Sequence, residues 1–207
     1  MLISFEGGIF VLSNDLLKPR TNRGLQTKNK LLRAAEYVFG KNGYHQSSIT
    51  EITQHAGVSL GNFYTYFESK YQIFEELLWE MQEELLQTIR QATAGIENRI
   101  DQERAGFKAL FTFLKQRPYW YSLFPQAEFV NKDLHRKALE RFARAYSHRL
   151  EEAMQRGQIR KMNPEILAYT FMGLTNYIGM KWVVWEQKEI TDEMLDEIMS
   201  FVRQGIE

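Results

Sequence analysis

The segment spanning residues 47–70 constrains the fold more than any other part of the chain, and it reads SSITEITQHAGVSLGNFYTYFESK. Ser48 and, three positions later, Glu51 form the pattern of a capping box, so we expect a helix to begin directly after Ser48. Gly57 can end that helix, and Ser59 can accept hydrogen bonds from the first N–H groups of the next one. Two short helices joined by a tight glycine turn are the layout of a helix-turn-helix DNA-binding element.

The second helix of this element is predicted to present one face to DNA. Phe63 and Phe67 are four positions apart and should face the core. The opposite face then points to solvent and supplies candidate contacts to DNA bases: Leu60, Gly61, Asn62, Thr65 and Tyr66. An asparagine amide can pair with base edges, and a threonine offers both a hydroxyl and a methyl group to the groove.

Two further residues are predicted to contact DNA phosphates. Tyr64 lies next to the core-facing Phe63, so its hydroxyl is free to point outward. Ser69 and Gln72 form another capping pattern, and Lys70 falls in the first turn of the helix that they begin. A cation at a helix N-terminus opposes the helix dipole, and it favours a nearby anion such as a phosphate.

This region resembles the N-terminal DNA-binding domain of the tetracycline-repressor (TetR) family of bacterial transcriptional regulators. The resemblance lies in three motifs: A-x-x-x-F-x-x-x-G-Y at 35–44, I-x-x-x-A-G-V-S at 52–59, and F-Y-x-Y-F-x-x-K at 63–70. It implies phosphate contacts by Ser48, Tyr64 and Lys70. It implies contacts to bases by Leu60, Gly61, Asn62 and Thr65.

The helix pattern of the whole chain predicts an all-α fold in which a long helix joins two domains. We expect a three-helix DNA-binding domain at 25–70, a helical domain at 71–207, and a poorly ordered N-terminal extension at 1–24. Apolar residues recur every four positions in the joining helix: Ile73, Leu77, Met81, Leu85 and Ile89. Further helices are predicted to stop before Pro118, to run from about Lys132 to Arg156, and to begin after Asn163 and at Thr191.

Aromatic residues concentrate around a broken helix in the second domain, where they favour an apolar effector pocket. The candidate lining residues are Phe107, Phe111, Trp120, Tyr121, Phe124, Tyr177 and Trp185, with Glu128 and Asn176 as polar groups that orient a ligand. The alternative is that the aromatic side chains simply fill the core and that the two polar groups are surface or capping residues.

The resemblance also implies a homodimer formed through the last two helices. Their apolar faces are suitable for this contact: Leu167, Phe171, Leu174, Ile178, Leu195, Ile198, Met199 and Val202. Packing within one subunit would produce the same pattern, so the dimer follows mainly from the resemblance.

Composition is consistent with a cytoplasmic DNA-binding protein. Residues 20–70 contain seven Lys/Arg and three Asp/Glu, whereas residues 71–207 contain eighteen and twenty-one. The chain has no cysteine, its four histidines are scattered, and no apolar run approaches the ~20 residues that span a membrane. We therefore predict no metal, no cofactor and no membrane association.

The sequence predicts a ligand-responsive repressor that leaves a palindromic DNA operator when a small hydrophobic or aromatic effector binds, with acyl-CoA or a fatty acid among the candidates. An effector-independent activator or architectural DNA-binding protein is the alternative. An enzyme is not supported, because the chain has no nucleophile elbow, P-loop, dinucleotide fingerprint or metal constellation.

Overall fold

The computed structural model describes residues 21–207, and this part of the chain is α-helical and contains no strand. Its helices are α1 (Asn22–Asn42), α2 (Ile49–Ala56), α3 (Leu60–Phe63), α4 (Lys70–Thr93), α5 (Arg99–Gln116), α6 (Trp120–Val130), α7 (Lys132–Gln155), α8 (Pro164–Ile178) and α9 (Asp192–Ile206). A π-helical segment, Gly179–Trp185, continues α8. The prediction of an all-α fold is confirmed.

Helix starts occur where the capping residues predict them. The Ser48 hydroxyl accepts a hydrogen bond from Glu51 N, and a carboxylate oxygen of Glu51 accepts from Ser48 N at 2.7 Å. The side chains of Asn163 and Thr191 cap α8 and α9 in the same way. Gly57 ends α2 with φ 65°, a left-handed conformation in which glycine has no steric cost. Local chemistry therefore sets these helix ends.

The N-terminal core cluster joins α1, α2, α3 and the first half of α4. Phe39, Phe63, Phe67 and Phe74 are fully buried in it. Leu123 of α6 belongs to the same cluster, together with Ala127 and Leu134. A boundary at Lys70 consequently does not separate the two cores, because residues up to Met81 and part of α6 pack with the N-terminal helices.

The C-terminal core cluster is built from α5, α7, α8 and α9 with the end of α4. Phe107 and Phe171 meet edge to face at 5.8 Å between ring centroids. Leu195 and Val202 of α9 are also buried here. This cluster surrounds the internal cavity described below.

The predicted N-terminal extension is partly wrong at its C-terminal end. Thr21 caps α1, its hydroxyl accepting from Gly24 N at 3.1 Å, so residues 22–24 are helical. The remainder of the predicted extension, residues 1–20, lies outside the described residues.

The π-helical segment begins beside a contact between α6 and the end of α8. The sequence pattern does not reveal this contact. The Tyr121 hydroxyl donates to the carbonyl oxygen of Asn176 at 2.9 Å, in the last turn of α8. A β-carbon on Gly179 would lie 2.2 Å from that hydroxyl, so only glycine fits beside Tyr121. The predicted helix to about Gln187 is therefore α-helical only as far as Ile178, and it continues in the wider π form.

Candidate DNA interface and internal cavity

The solvent side of the helix-turn-helix element carries most of the predicted base contacts. Gly61, Asn62 and Thr65 are exposed, and Leu60 is 48% exposed although it is apolar. Tyr66 is partly buried and packs against the N-terminal core cluster, which limits its reach toward DNA. Phe63 and Phe67 lie on the opposite, buried face as the spacing predicts.

The residues predicted to contact phosphates have different environments. Tyr64 is 51% exposed, with its ring edge to face against Phe63. Ser48 is exposed, and its hydroxyl also donates to Glu51 at 2.8 Å. The phosphate contacts of both residues remain predictions.

Lys70 has a structural role that the sequence pattern does not show. Its ammonium group donates to the carbonyl oxygens of Tyr44 and Ser47, each at 2.8 Å, and lies 4.5 Å from the centroid of the Tyr44 ring. These contacts hold the turn between α1 and α2 against the start of α4. The predicted phosphate contact would therefore be made by a group that already has protein partners.

A cavity of about 420 Å³, partly open to solvent, lies between α4, α5, α6, α7 and α8. Its walls are mainly apolar and include Leu85, Ile89, Leu110, Leu114, Phe142 and Met172. This volume is within the range of small-molecule binding sites.

The predicted pocket residues divide into two groups. Five line this cavity: Phe107, Trp120, Tyr121, Phe124 and Asn176. Four do not: Phe111, Glu128, Tyr177 and Trp185. Phe111 is buried in the C-terminal core cluster, and Glu128 is exposed on α6. Tyr177 and Trp185 are 68% and 66% exposed, because they lie on the outer face of α8 and the π-helical segment.

Sequence reasoning missed the polar part of the cavity wall. Arg99 and Glu103 form a buried ion pair one helical turn apart on α5, and Tyr146 of α7 donates its hydroxyl to Glu103. Arg149 donates to the hydroxyl of Thr93 at 3.1 Å. Burial, followed by the Glu103 charge, raises the pKa of Tyr146 well above its usual value. These residues belong to helix faces of mixed charge, which by pattern alone resemble solvated surface.

Helix α6 contacts both the cavity and the N-terminal core cluster. Trp120 and Phe124 stack on one another at 5.3 Å along the cavity wall. Tyr119 lies against α1, where a β-carbon on Gly40 would come within 2.2 Å of its ring. Gln126 accepts from Tyr44 N at 2.6 Å. A change at the cavity can therefore reach the helix-turn-helix element through one short helix.

The predicted dimer residues are mostly buried within the subunit. Leu167, Phe171, Leu195, Met199 and Val202 belong to the C-terminal core cluster, and Leu174, Ile178 and Ile198 pack against it. The outward apolar residues are different ones: Ile166, Tyr169, Tyr177, Trp185 and Phe201. The apolar faces of the last two helices are therefore explained by packing within one subunit, the alternative given in the sequence analysis.

Residues 21–207 provide neither a membrane-spanning helix nor a group of metal-binding side chains. No helix there is both long and apolar enough to cross a membrane. In the same range, no group of three or more His, Asp or Glu side chains is placed to hold a metal ion.

Comparison with known proteins adds to this geometry. Residues 31–77 match the family model described as bacterial regulatory proteins, tetR family. The N-terminal segment of the chain therefore belongs to the TetR family. It is 30% identical over 125 residues to the uncharacterized HTH-type transcriptional regulator YdgC of Bacillus subtilis, and 31% identical over 114 residues to the HTH-type transcriptional activator FasR of Mycolicibacterium smegmatis. Each match covers 55% of this chain, and they span 62% of YdgC and 50% of FasR.

Solved structures share the fold over most of this chain. FadR from Bacillus subtilis, solved in complex with stearoyl-CoA, aligns with a TM-score of 0.73 at 20% identity, covering 83% of this chain and 97% of FadR. The fatty acid degradation regulator FadR from Bacillus halodurans aligns with the same TM-score and identity, covering 90% and 95%. At this identity the likeness concerns the fold.

Proposed function

We propose that this TetR-family protein is a DNA-binding transcriptional regulator whose operator affinity falls when a small apolar effector occupies the cavity. The observation that carries the proposal is the position of α6. It supplies Trp120, Tyr121 and Phe124 to the cavity wall and Leu123 and Ala127 to the N-terminal core cluster. The fatty-acid regulators among the structural neighbours support an apolar effector.

The mechanism follows from differential binding. A ligand changes an equilibrium only if its affinity differs between the two states, and here the states would differ in the position of α6 against α1 and α4. Because the Tyr119 ring contacts Gly40 and Gln126 contacts Tyr44, displacing α6 would move the helix-turn-helix element with it. Operator affinity would then fall by a factor of about 5–150, the usual size of an allosteric coupling.

The DNA arm is tested by selecting bound sequences from a random DNA library with the full chain. We expect a palindrome whose half-sites lie about 34–36 Å apart, since a symmetric dimer places two recognition helices in successive major grooves. Selection of unrelated sequences with no shared half-site would contradict specific binding.

The effector arm uses 1-dodecanol as a neutral apolar probe. We expect saturating dodecanol to weaken binding to the selected operator. Gly173→Leu should fill the cavity and abolish this response, because Gly173 lines the cavity and a β-carbon there meets no atom within 4 Å. Gly205→Leu, a glycine with equal space on α9, is the matched control. Operator binding that is unchanged by the probe would instead favour the effector-independent activator or architectural protein.

Dimerisation is part of the proposal, and the structure changes which residues test it. Phe201→Glu places a charge on an exposed apolar side chain, so it should give folded monomers in sedimentation that bind the operator weakly. Val202→Glu is the contrasting variant, because Val202 is 1% exposed and a charge there should unfold the subunit. A folded Phe201→Glu dimer would place the interface elsewhere.

A further inference from the structure

One end of the cavity carries a polar cluster, which we call the arginine cluster: Thr93, Arg99, Glu103, Tyr146 and Arg149. These residues come from the last turn of α4, the first two turns of α5 and the C-terminal half of α7. All five line the cavity. Arg99 is only 4% exposed, so its charge faces the cavity interior and not bulk water.

The cluster contains more positive than negative charge. One carboxylate oxygen of Glu103 accepts from Arg99 and the other accepts from Tyr146, so both oxygens are engaged. Arg149 donates to the neutral hydroxyl of Thr93. Within residues 21–207, no ion pair joins Arg149 to a carboxylate within 4 Å. Two guanidinium groups therefore share one carboxylate, which leaves a net charge of +1.

The hydrogen bonding of the cluster is also incomplete. Arg99 Nε is buried without a hydrogen-bond partner. Burial lowers the pKa of the Arg149 guanidinium, and the neighbouring Arg99 charge lowers it further. A buried charge of this kind is costly unless it is paired, and an arginine pairs best with a planar anion that accepts two hydrogen bonds. An anion that accepts hydrogen bonds would therefore pair with the arginine side chains of the cluster.

The remaining cavity wall indicates what is attached to that anion. From Thr93 to Gln82, α4 runs eleven residues along the cavity, which is about 16 Å at 1.5 Å per residue. The wall beyond the cluster is mainly apolar and includes Leu86, Leu110 and Phe124, although Gln82 and Asn176 also line it. A flexible hydrocarbon chain fits this shape. The near-complete burial of Arg99 favours a small anionic group at the cluster over a head group as large as a nucleotide.

We propose that the cavity binds a free fatty acid, with its carboxylate at Arg99 and Arg149 and its hydrocarbon chain directed toward Trp120 and Phe124. This inference rests on the proposed function and specifies the chemical class of the effector. The carboxylate completes the arginine cluster, and the chain occupies the apolar remainder of the cavity. Binding of the carboxylate neutralises the positive charge of the arginine cluster. Because the cluster residues come from α4, α5 and α7, this binding also affects how these three helices pack.

The test is calorimetric titration of the full chain with three probes of equal chain length: dodecanoate, 1-dodecanol and dodecanoyl-CoA. We expect dodecanoate to bind at least about tenfold more tightly than dodecanol, since hydrogen bonds to charged groups contribute more than neutral ones. Dodecanoyl-CoA should bind more weakly than dodecanoate, because its carboxylate is replaced by a thioester.

Variants assign the preference to the cluster. Arg149→Met keeps the length of the side chain but removes its charge, and it should weaken dodecanoate binding by about tenfold to a hundredfold while leaving dodecanol unchanged. Arg149→Lys should restore part of the loss. Arg136→Met on the same helix is the control, because the Arg136 side chain is 67% exposed and does not line the cavity. Glu103→Gln should have the opposite sign and tighten dodecanoate binding, since it frees the Arg99 charge.

The outcomes separate this inference from the proposed function. Equal binding of dodecanol and dodecanoate, or an Arg149→Met variant that melts normally and keeps full dodecanoate affinity, overturns the carboxylate site and leaves an apolar effector cavity. Tightest binding by dodecanoyl-CoA likewise overturns the free acid as ligand. If neither dodecanol nor dodecanoate binds the folded chain, the effector arm of the proposed function fails as well.

Discussion

The N-terminal core cluster is packed more completely than the C-terminal core cluster. Four phenylalanine rings in the N-terminal cluster are completely buried, and Phe39 packs edge to face on Phe74 at 5.5 Å. The C-terminal cluster surrounds a cavity of about 420 Å³. Two of the three buried side-chain polar atoms without a partner in residues 21–207, Gln82 Oε1 and Arg99 Nε, belong to residues that line this cavity.

The difference shows how one chain combines a rigid and an adaptable part. Well-packed interiors transmit displacement and resist deformation, so the N-terminal cluster suits an element that must present fixed side chains. A cavity with unsatisfied polar groups is stabilised by an occupant, because any ligand that binds only the folded state adds to its stability. The contrast therefore predicts where substitutions change stability and where they change ligand response.

The largest expected effect comes from paired truncations in the two clusters. Phe39→Ala should lower the free energy of unfolding by about 3–5 kcal/mol, as is usual for a fully buried ring. Trp120→Ala should cost less than half of that, because Trp120 borders existing empty space, and it should change the ligand response while the unliganded protein keeps its operator affinity. Denaturant titration and operator binding on both variants measure this. Equal losses of stability would remove the contrast between the clusters.

Lys70 tests whether the rigid part depends on a surface cation. Lys70→Ala removes the hydrogen bonds to the Tyr44 and Ser47 carbonyl oxygens, and it should lower the free energy of unfolding by about 1.5–3 kcal/mol. If the ammonium group also contacts a phosphate, the slope of log affinity against log salt should flatten by about one unit. Lys41→Ala, at the exposed end of α1, is the control. A changed stability with an unchanged slope would restrict Lys70 to its structural role.

The exposed residues of α3 and of the turn that follows it are expected to separate specificity from stability. Asn62→Ala and Thr65→Ala should each reduce discrimination between operator and non-operator DNA by about 1–3 kcal/mol. Their melting temperatures should stay near that of the unmodified protein, because both side chains are exposed. Competition binding with operators altered at single positions identifies the bases concerned. A uniform loss on all DNA sequences would assign these residues to the DNA backbone.

The smallest effect concerns the contact between Tyr121 and Gly179. Gly179→Ala alone should destabilise the protein, because the new methyl group would lie 2.2 Å from the Tyr121 hydroxyl. Tyr121→Phe removes that hydroxyl, so the double variant should recover about 1 kcal/mol relative to the sum of the single variants. Additive losses would show that the hydroxyl is not what excludes a side chain at residue 179.

Features encoded by local chemistry could be predicted from the sequence. The caps at Ser48, Asn163 and Thr191 begin helices at the predicted positions, since each cap depends only on neighbouring residues. The burial of Phe63, at the end of α3, and of Phe67, just after the following turn, also follows from their spacing. The residues that make the family resemblance belong to this locally determined part.

Features that depend on the assembly of several helices were not predictable. An aromatic side chain looks the same in sequence whether it lines a cavity, as Trp120 does, or lies on the surface, as Trp185 does. The arginine cluster was missed because its residues come from three helices, and no local pattern brings Arg99 close to Arg149. The π-helical segment lies beside the Tyr121 hydroxyl of α6, and its sequence alone indicates a continuous helix.

The shared use of α6 has a consequence for protein engineering. Regulators of this kind invite construction of chimaeras, in which the DNA specificity of one protein is joined to the sensor of another at the start of the long helix. In this chain such a junction would remove Leu123 and Ala127 from the N-terminal core cluster, and it would replace the ring that packs against Gly40. A functional hybrid must therefore transplant the inner face of α6 together with the N-terminal helices, although 56 residues lie between the end of α3 and the start of α6.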